Sequence, residues 1–149
     1  MGTIWILVAE SSRAKVYEML SRKAPLLEID EFSHPESRQH EHDLTTDLPG
    51  RSFDSMGLGG RHAMEARESA KEHEAKVFAK TLGVYLEAAR IKKRFDDLII
   101  IAAPAFLGLL RKNLSDGTNQ CVTEEIGKNL VQHDVADIRA HLPERLSAI

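Results

Sequence analysis

The sequence predicts a single α/β domain over residues 1–149, in which a three-stranded antiparallel meander precedes crossover units in the order β-β-β-α-β-α-β-α. Three observations carry this expectation. Two runs, Thr3 to Ala9 and Leu98 to Ala103, are apolar at every or nearly every position; Arg13 to Phe32 alternates; and Ala63 to about Arg94 contains no proline. A strand that is apolar throughout suits a sheet covered on both faces, whereas alternation suits a sheet with one solvated face.

Taken in order, Thr3 to Ala9 is β-branched and continuous, and Glu10-Ser11-Ser12 turns the chain. Arg13 to Leu20 sets Ala14 and Val16 against Arg13 and Lys15, so a connection this short predicts a hairpin. Pro25 closes the next turn, and Leu27 and Ile29 alternate with Glu28 and Asp30 to about Phe32. Residues 34–62 hold both further prolines of this region and four glycines without either period, and read as a long loop. Loops above ~15 residues inside a domain are uncommon and tend to carry function.

From Ala63 to about Arg94 the expectation is one helix, near three times the average of about 11–12 residues. Its first half offers only Ala66 and Ala70 as a thin apolar stripe among charges, so it is expected to project from the body. From Val77 onward, Val77, Phe78, Leu82, Tyr85, Leu86 and Ala89 are taken as the core-facing stripe. Asp96-Asp97 interrupts the pattern, and Leu98 to Ala103 follows as a buried strand expected to lie parallel to its neighbour. Pro104 suits the first turn of a helix to about Leu114 with Phe106, Leu107 and Leu110 inward. Ser115-Asp116-Gly117 reads as its end, Gln120 to Ile126 as a fifth strand, and His133 to about Leu142 as a last helix with Val135, Ile138 and Leu142 on one face. The order resembles that of the ribonuclease H-like mixed sheet.

Composition narrows the function classes. With 42% apolar and 29% charged residues the chain is of ordinary globular make-up, and its formal net charge of -3 argues against nucleic-acid binding by bulk charge. The apolar start lacks the basic flank and cleavage site of a signal peptide, and no apolar run approaches the ~20 residues of a membrane span. A cytoplasmic location is the expectation. Cys121 is the single cysteine, so no intrachain disulfide forms, and its neighbours point to a buried thiol on a strand rather than a nucleophile.

The candidate site is the stretch from Arg51 to Met64. Gly57, Gly59 and Gly60 fall within four positions, directly before the long helix, with Arg51, Arg61 and His62 around them. Glycine lets a backbone approach a partner closely, and the start of a helix favours anions, so Arg51, Gly57, Gly59, Gly60, Arg61 and His62 are read as a contact tip for phosphate or RNA. The plain alternative is a solvent loop whose glycines only turn the chain.

Asp47-Leu48-Pro49, Gly59-Gly60-Arg61, the charged helix and the strand Leu98 to Ala103 resemble, in gross order, the central domain of eukaryotic and archaeal class-1 peptide-chain release factors. In that family a Gly-Gly-Gln tip on a long helix enters the ribosomal peptidyl-transferase centre and promotes hydrolysis of peptidyl-tRNA. Arg61 stands where those proteins carry glutamine. The resemblance therefore implies a ribosome- or RNA-contacting domain, and the departure at Arg61 argues against hydrolytic release, since arginine is longer, permanently charged and lacks the compact amide that orders water. The segments Arg51 to Ser55, Gly57 to Glu65 and Ala103 to Arg111 resemble a bacterial family described as required for attachment to host cells. That description implies a phenotype rather than a reaction.

Other chemistry finds little support. His34, His40, His42 and His62 with Glu36, Glu41 and Asp43 form a candidate metal cluster, but without a Cys-x-x-Cys or His-Glu-x-x-His pattern a solvated loop is the preferred reading, and no metal or cofactor is expected. A nuclease would need carboxylates following the buried strands, whereas Glu10 follows one and Asp96 and Asp97 precede the other. The glycines match no nucleotide-binding fingerprint and Ser55 has no partner by spacing. Arg90, Lys92, Lys93 and Arg94 suit the negative end of the long helix. The expectation is a binding domain for the ribosome or structured RNA, with a protein-binding module of an attachment pathway as the alternative and a hydrolase or nuclease third.

Overall fold

The computed structural model of the chain describes residues 2–21, 23–33 and 58–143, with 58–69 described as backbone only. Five strands, β1 (Ile4–Ala9), β2 (Arg13–Met19), β3 (Leu27–Ser33), β4 (Asp97–Ala102) and β5 (Val122–Ile126), form one sheet in the order β3-β2-β1-β4-β5. β2 runs antiparallel to both its neighbours, and β4 runs parallel to β1 and to β5. Among the described residues there are four helices: α1 (Leu58–Ile91), α2 (Pro104–Asn113), α3 (Asp116–Cys121) and α4 (Val135–Ala140). The fold is thus mixed α/β, as the two apolar runs predicted.

All six residues of β1 and residues 98–102 of β4 are buried, because helices cover both faces of the sheet centre. One face turns Trp5, Leu7, Leu98 and Ile100 toward α1 and α2, where Phe78, Leu82, Leu86, Phe106 and Leu110 complete the core. The opposite face packs Ile6, Val8, Ile99 and Ile101 against Leu130, Val131, Ile138 and Leu142. Strand parity explains the division, since successive side chains point to opposite faces.

An aromatic group fastens the meander to α1. Trp5 lies 5.9 Å from Tyr85 and 5.0 Å from Phe95 between ring centroids, with the Arg94 guanidinium 5.0 Å over its ring. Its indole N–H donates to Glu18 Oε2 at 3.1 Å, so the buried nitrogen is satisfied. The Tyr85 hydroxyl donates to Asp30 Oδ2 at 2.8 Å and its ring meets Phe32 edge-on at 4.7 Å, which holds edge strand β3 although much of it is exposed.

Several expectations are corrected. The helix begins at Leu58, not Ala63, so Gly59, Gly60, Arg61 and His62 lie in its first turns rather than in a loop. A glycine costs about 1 kcal/mol in a helix, and the run of good helix formers from Arg61 onward with no proline is enough to carry the helix through them. Asp116–Cys121 is a short helix where a helix end and strand were expected: Ser115 is its N-cap, its hydroxyl accepting from the Thr118 amide at 3.0 Å. Cys121 therefore ends a helix and is only half-buried. The last helix is shorter than expected, opening at Val135 after the cap Asp134. Val77 and Val135 face outward rather than inward, while Phe106, Leu107, Leu110, Ile138 and Leu142 are buried as expected.

Candidate functional site

The site begins at the start of α1. Among the residues whose side chains are described, its buried apolar residues run from Ala75 to Ala89, and its backbone continues toward the N-terminus to Leu58. Residues 71–73 of α1 are exposed. No acidic residue occupies the first turn, so the positive end of the helix is not neutralised from within. Gly59, Gly60, Arg61 and His62 are brought together there along the backbone. Arg51 and Gly57 lie outside the described residues, as do the side chains of Arg61 and His62.

α1 forms one wall of a cleft of about 340 Å³, lined by Ser11, Lys71, Glu72, Ala75, Lys76, Ala105, Phe106 and Leu109. The cleft opens beside the carboxyl ends of β1 and β4, whose following residues are joined by the Ala103 amide donating to the Ala9 carbonyl at 3.4 Å. In open α/β sheets the crevice between two parallel strands that lead away in opposite directions is the usual ligand position. Pro104 stands at the start of α2, and Ala103 before it supplies no side-chain cap. Sequence reasoning missed Ser11, Lys71 and Lys76, which gather only because β1, α1 and α2 converge. The turn after a buried parallel strand was the available signal.

The carboxylates do not gather with them. Glu10 follows β1, whereas Asp96 and Asp97 sit at the opposite end of the parallel pair, about 16 Å away along a six-residue strand. Asp96 is structural: its Oδ2 accepts from the Thr3 amide at 2.9 Å, and its own amide donates to the Thr3 carbonyl at 2.8 Å. Glu10, Asp96 and Asp97 are therefore not juxtaposed as two-metal phosphoryl chemistry needs, and no metal-holding group of acids and histidines occurs among the described residues. The candidate ligands His34, Glu36, His40, Glu41, His42 and Asp43 lie outside the described residues.

Behind the cleft, the other end of α1 is locked. Arg90 donates to both oxygens of Glu87, at 3.1 and 3.0 Å, and the hydroxyls of Ser115 and Thr118 donate to Glu87 Oε1 at 2.5 and 3.0 Å. These donors, Arg90 first and Ser115 next, pull the Glu87 carboxyl down to about 2. Burial pushes the Cys121 thiol up, so a thiolate is disfavoured and this cysteine is a poor nucleophile. Among the described residues no helix is long and apolar enough to cross a membrane.

Comparison with known proteins agrees with this architecture in extent. Residues 5–142, which run from β1 through α4, match the family described as "Protein required for attachment to host cells". The chain is also 32% identical over 139 residues to an uncharacterised protein of Rickettsia prowazekii (strain Madrid E), covering 87% of this chain and 85% of that relative. A match across the sheet and every described helix goes well beyond a shared motif, and the chain belongs to the family of proteins required for attachment to host cells.

Proposed function

We propose that this protein is a cytoplasmic RNA-contacting, ribosome-associated domain that acts through the first turns of α1. The observation that carries this reading is the start of α1, which opens on Leu58, Gly59, Gly60 and Arg61 with no carboxylate in the first turn. Free amides, an unopposed helix dipole and a guanidinium all favour phosphate, and glycines admit a close backbone approach. The strand order β3-β2-β1-β4-β5, with β2 alone reversed, supports a ribonuclease H-like topology and with it the resemblance to the central domain of class-1 release factors.

In this reading Arg61 makes the domain a binder rather than a hydrolase. Its backbone N–H remains able to face an oxyanion, but its side chain pairs with phosphate instead of ordering water. The separation of Glu10 from Asp96 and Asp97 weighs against a nuclease.

Binding of structured RNA by wild type and Arg61→Glu, measured over a salt titration, tests the reading. Wild-type affinity is expected to fall steeply with salt and to be lost in Arg61→Glu, with far-UV circular dichroism unchanged. Equal RNA affinity in both proteins would reject Arg61 as the contact, and RNA-independent capture of a protein by the start of α1 would favour the attachment-pathway alternative.

A further inference from the structure

α1 is apolar on two opposite faces, and the core uses only one. On the outer face Val77, Val84 and Ile91 are 38%, 63% and 62% exposed, and they recur every seven residues. Thr81 and Ala88 fill the gaps between them and are exposed. The Thr81 hydroxyl donates back to the Val77 carbonyl at 3.0 Å, leaving its methyl to the surface. A surface helix ordinarily carries its charges along the centre of its solvent face. Here the centre line from Val77 to Ile91 carries none for about 21 Å.

We infer that this stripe is a self-association surface, through which two copies of the chain pair antiparallel about a two-fold axis at Val84. A seven-residue apolar repeat is the seam of a two-helix contact, and the flanking charges choose the occupant and its direction. Lys80 and Glu87 lie on the same flank, four residues before and three after Val84. An antiparallel two-fold brings like flanks together, so Lys80 of each copy comes beside Glu87 of the other, within one residue's rise of ~1.5 Å. Glu87 is suited to this, since among the described hydrogen bonds its Oε1 takes both hydroxyls while Oε2 accepts from Arg90 alone. The same axis seats Val77 against Ile91 of the second copy, twice. A parallel pair would instead bring unlike flanks together, parting Lys80 from Glu87 of the second copy, and would set the two positive helix ends side by side. The antiparallel pair also points the first turns of the two α1 helices opposite ways.

Sedimentation of the full chain across a wide concentration range tests the inference. Wild type is expected to form a dimer; Val84→Glu, which sets two carboxylates face to face on the axis, is expected to raise the dissociation constant at least ~100-fold, and Lys80→Glu about tenfold. Far-UV circular dichroism is expected to be unchanged in both, because these side chains are exposed. As a second measurement, Val84→Cys in a Cys121→Ser background is expected to oxidise to a covalent dimer, since on the axis residue 84 meets its own copy. A wild type that stays monomeric at every concentration overturns the inference, as does a dimer indifferent to Val84→Glu or a Val84→Cys chain that fails to cross-link.

Discussion

Lys93 holds a backbone φ of 58°, the left-handed region that favours glycine. The reason is the end of α1: the Arg94 amide donates to the Ala89 carbonyl at 3.0 Å and the Lys93 amide to the Arg90 carbonyl at 2.9 Å, the paired bonds of a Schellman ending. Lys93→Gly removes the side-chain strain and is expected to stabilise the protein by up to about 1 kcal/mol in denaturant melts, offset in part by the greater freedom of glycine in the unfolded chain. Ile100 is the opposite case. It is fully buried at the sheet centre, paired in register with Leu7, and Ile100→Ala is expected to cost about 2–5 kcal/mol in the same measurement. Burial of Trp5, Ile6 and Ile100 was legible in the sequence, because continuous apolar runs leave a strand no solvated face. The outward turn of Val77 was not. It adjoins Phe78 in sequence but lies about 100° away around the helix, and only the position of the sheet decides which of the two is covered.

At the scale of elements, helix contacts explain residues that composition left idle. Gly83 lies where α1 passes the end of α2, and a Cβ there would collide with the Asn113 carbonyl oxygen. Gly83→Ala is therefore expected to destabilise by about 1–3 kcal/mol despite alanine's better helix propensity, because backbone rather than a movable side chain opposes it. The α1–α3 junction predicts a pH dependence. Glu87 is held at about 2 against its ordinary 4.5, so between those values the unfolded chain binds the extra proton. Stability from this group is present above its unfolded pKa and is lost as pH falls toward about 2. Thermal melts of wild type and Glu87→Gln over this range are expected to converge as pH falls, and parallel curves would mean that the carboxylate contributes nothing. α3 itself escaped sequence reading because Ser115-Asp116-Gly117 is turn chemistry and helix-start chemistry at once. The hydroxyls converging on Glu87, 28 and 31 residues earlier, show why the helix outcome suits the folded chain.

For the whole molecule, element type and order were largely legible: a hairpin-joined meander, then parallel strands separated by helices, yields one mixed sheet with β1 and β4 at its centre. The cleft at the carboxyl ends of β1 and β4 was less so, since Ser11, Lys71 and Phe106 are distant in sequence and meet only through the crossing of α1 over α2. The glycine tip was legible as residues but assigned the wrong local structure, because tolerance of glycine inside a long helix depends on the propensity of everything after it. Extending α1 back to Leu58 strengthens the functional proposal: the amides near Gly59, Gly60 and Arg61 stand at a helix start, where they and the dipole act in one direction.

The most direct test of that proposal is co-sedimentation with ribosomal fractions at low and at high salt, comparing wild type with folded Arg61→Glu. Wild type is expected to travel with ribosomes at low salt and to be released at high salt, while Arg61→Glu is expected to stay in the supernatant under both conditions. Ribosome association that is equal for the two proteins, or a wild type absent from the ribosomal fraction at low salt, would contradict it.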